Sequence, residues 1–64
     1  MKVYIEKDDE HKVLTFSGTV LMLLRHLKIN PAAVFVVRNG KAVANEEMLS
    51  DKDNVKILEV FMGG

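Results

Sequence analysis

The last ten residues, Val55-Lys56-Ile57-Leu58-Glu59-Val60-Phe61-Met62-Gly63-Gly64, decide how the chain is read. Residues 55 to 61 are rich in β-branched and other apolar residues and predict a final strand. Two glycines follow it. Glycine has no Cβ, so a terminal pair makes a thin, pliable tip able to enter a narrow channel, with its chemistry on the carboxyl of Gly64. At an average usage of about 7%, a chance pair of terminal glycines occurs in roughly one chain in two hundred. The tip therefore gains its meaning from the fold behind it; the alternative is a frayed end with no role.

Working outward, sixty-four residues make one small domain, expected to span 1–64 with a flexible tail at 63–64. A chain of this size buries only about 60% of the surface it exposes when unfolded, which leaves a thin core and no room for an internal active site. Apolar residues are 48% of the chain and charged ones 28%, the balance of a globular domain. Nine basic and nine acidic residues cancel and are dispersed, so no footprint for a phosphate backbone is visible and direct nucleic-acid binding is disfavoured. The absence of cysteine removes disulfides, thiolate nucleophiles and zinc-thiolate sites. Met1-Lys2 leads into a short alternating segment that reaches Glu6-Lys7, with no apolar stretch long enough for a signal peptide or membrane span, so the expected location is cytoplasmic.

Lys2 to Lys7 reads as a strand with Val3 and Ile5 on one face and Tyr4 on the other, closed by the turn Asp8-Asp9-Glu10. A second strand runs from His11 or Lys12 to Phe16, with Leu14 and Phe16 inward. Ser17-Gly18-Thr19 reads as a loop ending in a helix cap at Thr19. Val20, Leu23, Leu24 and Leu27 recur at helical spacing and predict a helix from Val20 to Lys28, ended by Ile29-Asn30-Pro31. Val34 to Arg38 is a β-branched strand, Asn39-Gly40 a hairpin turn, and Lys41 to Ala44 a short return strand. Met48-Leu49 reads as one short turn. The order is β-β-α-β-β-β, an α+β layer in which a mixed sheet of four to five strands packs on one helix. The last strand is expected to lie in the centre, parallel to the first.

This order, the Asn39-Gly40-Lys41 turn, the Asp53-Asn54-Val55-Lys56-Ile57-Leu58 lead-in and the terminal Gly63-Gly64 together resemble the ubiquitin-like β-grasp sulfur carriers of the ThiS and MoaD type. They resemble especially the archaeal small modifier proteins and the eukaryotic ubiquitin-related modifier. The resemblance covers essentially the whole chain. It implies that an E1-like enzyme adenylates the Gly64 carboxyl with ATP and magnesium, and that the acyl-adenylate becomes a thiocarboxylate that donates sulfur to a biosynthetic enzyme. In the alternative, the acyl group passes to lysines of target proteins; a third reading is a passive β-grasp binding module. The chain is then not an enzyme and binds no cofactor itself, having no glycine-rich phosphate loop. Phe61-Met62 is more apolar than the arginine-rich tail of ubiquitin and marks a departure from that recognition chemistry.

With Val34, Val36, Val55 and Ile57 on the core face, alternation puts Phe35, Val37, Leu58 and Val60 on the other, which no helix covers. Four apolar residues on adjoining strands form a candidate docking patch, continued by Phe61 and Met62; the competing explanations are a dimer interface or a different strand register that buries some of them. Other candidates carry less. His11 and His26 lie on different elements without partners at metal-ligand spacing, Asp8, Asp9 and Glu10 read as a solvated turn, and Ser17 and Thr15 have no His/Asp pattern for nucleophilic catalysis.

Overall fold

The final strand expected from the sequence is the centre of the sheet. In the computed structural model, which describes residues 1–60, the elements are β1 (Lys2–Ile5), β2 (Glu10–Val13), β3 (Gly18–Thr19), α1 (Val20–His26), β4 (Val34–Arg38), β5 (Lys41–Val43), β6 (Met48–Leu49) and β7 (Asn54–Glu59). Single 3₁₀ turns occupy Glu6–Asp8 and Pro31–Ala33. Five strands form one mixed sheet in the order β2-β1-β7-β4-β5, and β3 pairs with β6 in a separate two-stranded ribbon. β7 runs parallel to β1, with Val3 beside Val55 and Ile5 beside Ile57, and antiparallel to β4, with Val36 beside Ile57. These are the residues that period-two alternation puts inward. Val3, Ile5, Val36, Val55 and Ile57 are buried against Val20, Leu23 and Leu24 of the helix. The architecture is the α+β β-grasp arrangement of a sheet on one helix.

Several boundaries differ from those read in the sequence. β2 stops at Val13 instead of Phe16. Beyond Val13, Leu14 donates its N–H to Met1 O, and the Phe16 N–H is taken by the Asp51 carboxylate. Leu14 and Phe16 still pack on the core edge, while Val13 points away and is 82% exposed. Gly18–Thr19 and Met48–Leu49, read as a loop and a turn, pair as strands through Gly18–Leu49 and Thr19–Met48. Gly18 sits at φ 152°, and a Cβ there would stand 3.0 Å from the Phe16 ring, so the close approach needs glycine. β7 is Asn54–Glu59 and not 55–61: Glu59 and Val60 turn their N–H groups to the Glu6 carboxylate and to Ala33 O, and Phe61 lies outside the described residues.

The helix begins as its cap predicts, with Thr19 Oγ1 accepting from Met22 N at 3.1 Å. The next two orphan donors, Val20 and Leu21 N–H, reach Glu47 O and Asn45 O, so the loop before β6 completes the cap. It ends at His26, two residues short of Lys28, in a Schellman motif. Ile29 N–H donates to Leu24 O, Lys28 N–H donates to Arg25 O, and Lys28 is left-handed at φ 60°. A lysine here bears the Cβ clash that glycine avoids. Lys28→Gly should therefore raise stability by about 0.5 to 1 kcal/mol, a net figure after the unfolded chain's entropy gain. Thermal melting checks it; an unchanged or lower midpoint contradicts the strain.

Two aspartates, Asp51 exposed and Asp53 half-buried, tie the remaining loops. Asp53 accepts from Ser50 N–H and the Asn39 amide, and Asn39, left-handed at φ 49°, accepts from Asn54 N–H. Asn39 thus joins the tip of the β4–β5 hairpin to the start of β7. Asp51 accepts from Phe16 N–H and from the Met1 ammonium. Phe16 N–H first, then the ammonium, hold Asp51 below the usual carboxylate range; Ser50 N–H first, then Asn39, do the same for Asp53. Because both folded values are depressed, their stabilisation is present above the unfolded value of about 3.9 and is lost as pH falls through the folded values. Acid titration followed by circular dichroism should show wild type losing stability below about pH 4 more steeply than Asp51→Asn/Asp53→Asn. Equal slopes would remove both aspartates from the account.

Candidate functional site

The sheet register places a continuous apolar strip on the face opposite the helix. Phe35 stands directly across from Leu58, and Val37 from Lys56. Phe35 is 45% and Val60 39% exposed, and Val37 and Leu58 are half-buried. Alternation through the register puts Phe35, Val37 and Leu58 on this face, and Val60 follows just beyond the end of β7. Tyr4, read on the face away from Val3 and Ile5, pairs there with Lys56, a neighbour the sequence reading did not name. The Tyr4 hydroxyl donates to Asp9 at 2.9 Å and its ring leans on His11, with centroids 4.7 Å apart. That bond to Asp9, reinforced by the carboxylate's charge, raises the Tyr4 phenol above its ordinary value, so the hydroxyl stays protonated as a donor.

The strip leads to the point from which the chain end departs. Glu59 N–H donates to Glu6 Oε1 at 3.0 Å and Val60 N–H to Ala33 O at 3.1 Å. These bonds hold the last described residues between the two 3₁₀ turns, so the exit point belongs to the rigid sheet. Neither anchor could be read in the sequence, since Glu6 and Ala33 meet the strand end only through the fold. Phe61, Met62, Gly63 and Gly64, the rest of the expected docking patch and the expected activated terminus, lie outside the described residues.

Among the described residues no group of three or more His, Asp or Glu side chains is placed to hold a metal, and His11 and His26 stand against different aromatic rings, Tyr4 and Phe16. No described helix is long and apolar enough to cross a membrane. The described residues thus provide an apolar face and an anchored exit for the chain end. Comparison with known proteins decides the kinship: the sequence model of the ThiS family matches residues 2–64. The chain belongs to the ThiS family.

Solved structures agree. The crystal structure of the thiamine biosynthesis protein ThiS from Geobacter metallireducens shares the fold, with a TM-score of 0.68 and 24% identity over the whole of both chains. The solution structure of a thiamine biosynthesis protein from the same organism is 30% identical, with a TM-score of 0.58 over all of this chain and 87% of that one. No curated protein matches the chain. The ThiS-type resemblance read from the sequence is therefore borne out, and so is the β-grasp fold that it implied.

Proposed function

We propose that the chain is a sulfur carrier of thiamine biosynthesis whose reactive group is the Gly64 carboxylate. The observation that carries this reading is the ThiS family match, which extends through residue 64 and so includes the Gly63-Gly64 tip. Residues 1–64 act as one domain: the sheet presents the tail and the exposed face guides it. A terminal carboxylate, with a pKa of about 3.3 to 3.7 in model peptides, is ionised at neutral pH and resists acyl substitution until it is activated. An E1-like partner supplies that activation with ATP and magnesium. A Gly64 carboxylate oxygen attacks the α-phosphorus and pyrophosphate leaves. Sulfur at the oxidation level of hydrosulfide then adds to the acyl carbon, AMP leaves, and the product is the thiocarboxylate. Catalysis belongs to the partner, and the chain acts in the cytoplasm as its substrate.

Phe35, Val37, Leu58 and Val60, continued by Phe61 and Met62, form the surface on which the activating enzyme and then the sulfur-accepting enzyme dock. Glycine at 63 and 64 suits a tail that must thread a channel too narrow for side chains. The test is the intact mass of the chain after incubation with its adenylating enzyme, ATP, magnesium and a sulfur donor. The expected result is the gain for one oxygen replaced by sulfur, localised to Gly64. An unchanged mass with an active partner overturns the reading, and chain joined to lysines of other proteins makes it a modifier instead.

A further inference from the structure

The exposed face carries a second feature, at the end away from the tail exit. Beside Tyr4 a depression of about 370 Å³ opens between the edge strand β2 and the Asn39-Gly40 turn. Its apolar walls include Val13, Val37 and the Tyr4 ring, and its lining contains Lys2, Lys12, Lys56 and His11 but no carboxylate. Lys12 is paired with Glu10 at 3.5 Å. Lys2 and Lys56 are exposed and enter no ion pair among the described residues. The register sets them diagonally on neighbouring strands, since Lys2 faces Asn54 and Lys56 faces Tyr4. Diagonal like charges on one sheet face disfavour each other, and nothing described here offsets them. Asp9 and Asp53 are engaged elsewhere, Asp9 with the Tyr4 hydroxyl and Asp53 with Ser50 and Asn39, and neither lines the depression.

A chain whose total charge is zero therefore concentrates cations at one hollow. The same hollow has an uncovered apolar rim in Val13, 82% exposed on the edge strand. Cations around an apolar floor match a ligand with an apolar anchor flanked by negative charge. We propose that this depression docks an acidic segment of a partner protein, with an apolar residue of that segment seated between Tyr4, Val13 and Val37 and its carboxylates on Lys2 and Lys56. The site is continuous with the Phe35–Leu58 strip, so one partner can engage both. The inference rests on the charge and shape of the hollow and not on any reaction at Gly64.

The probe is a glutamate-rich peptide with one central leucine, titrated into isotopically labelled chain at low ionic strength and followed by amide chemical shifts. Shifts are expected at Val13, Val37, Gly40 and Lys56, fading as salt is raised. Lys2→Glu/Lys56→Glu should weaken binding by roughly tenfold or more, and the milder Lys2→Gln/Lys56→Gln by less. Both lysines are exposed and enter no ion pair among the described residues, so both variants should fold, which thermal melting verifies. Four results would overturn the proposal: no shifts, shifts confined to other amides, an equal response to a lysine-rich peptide, or no weakening in either variant. Tighter binding of a single-stranded oligonucleotide at the same amides would also overturn it, reassigning the hollow to nucleic acid. Any of these leaves the mass test at Gly64 untouched.

Discussion

Deletion of Gly63-Gly64 is expected to abolish thiolation of the chain while leaving its melting temperature nearly unchanged. The two halves of this result have separate causes. Among the described residues, stability resides in Val3, Ile5, Val20, Leu23, Leu24, Val36, Val55 and Ile57, all buried, and in backbone hydrogen bonds such as that from Val60 N–H to Ala33 O. Removing residues 63 and 64 takes none of these. Reactivity depends on where the acyl carbon sits: the shortened chain ends at Met62, whose carboxylate falls short of the nucleotide and carries a side chain beside it. A displacement of this size costs on the order of a hundredfold or more in a reaction that depends on alignment. Intact mass after incubation with the adenylating enzyme reads the first half, and thermal melting the second. Thiolation retained by the deletion variant sinks the mechanism, whereas a large fall in melting temperature shows that the tail belongs to the fold.

Much of the fold was legible because strong local signals and the global arrangement agree. The β4 strand has the bounds read from its β-branched run, and Asn39-Gly40 turns with φ of 49° and 87°, the left-handed pair that a two-residue hairpin requires. The central parallel placement of β7 followed from the β-β-α-β-β-β order, in which the last strand inserts between two hairpin-like pairs. What failed were features set by distant partners. The β3–β6 ribbon has two residues on each side, too few for any periodicity to show. The Schellman end of the helix was hidden because the left-handed position holds a lysine where glycine is the usual signal. The apolar strip was legible because alternation along each strand decides it. The cationic hollow was not, because Lys2 and Lys56 become neighbours only through the β1–β7 register.

Replacing Val37 and Leu58 together with aspartate is expected to abolish activation at Gly64 with the fold retained. Both side chains are half-buried on the uncovered face and contribute nothing to the buried core. Position 37 lies across from Lys56, so an aspartate there gains a cation; position 58 lies across from Phe35, so an aspartate there meets only an exposed ring. The cost to folding is therefore small, on the order of 1 kcal/mol, within reach of circular dichroism and a melt. The cost to docking is larger. Two carboxylates in the middle of an apolar contact must be stripped of water without partners, and a central residue of such a contact accounts for roughly 2 kcal/mol or more each. Together they weaken the affinity of the complex by about a thousandfold. Added acid at 37 and 58 should repel an acidic segment at the cationic hollow as well, so the second variant is Leu58→Ala, which removes apolar contact outside the lining of the hollow without adding charge. Strong loss in both variants assigns the strip to hydrophobic docking; loss in the aspartate variant alone assigns the effect to charge. Activation unaltered in the aspartate variant excludes this face from the encounter.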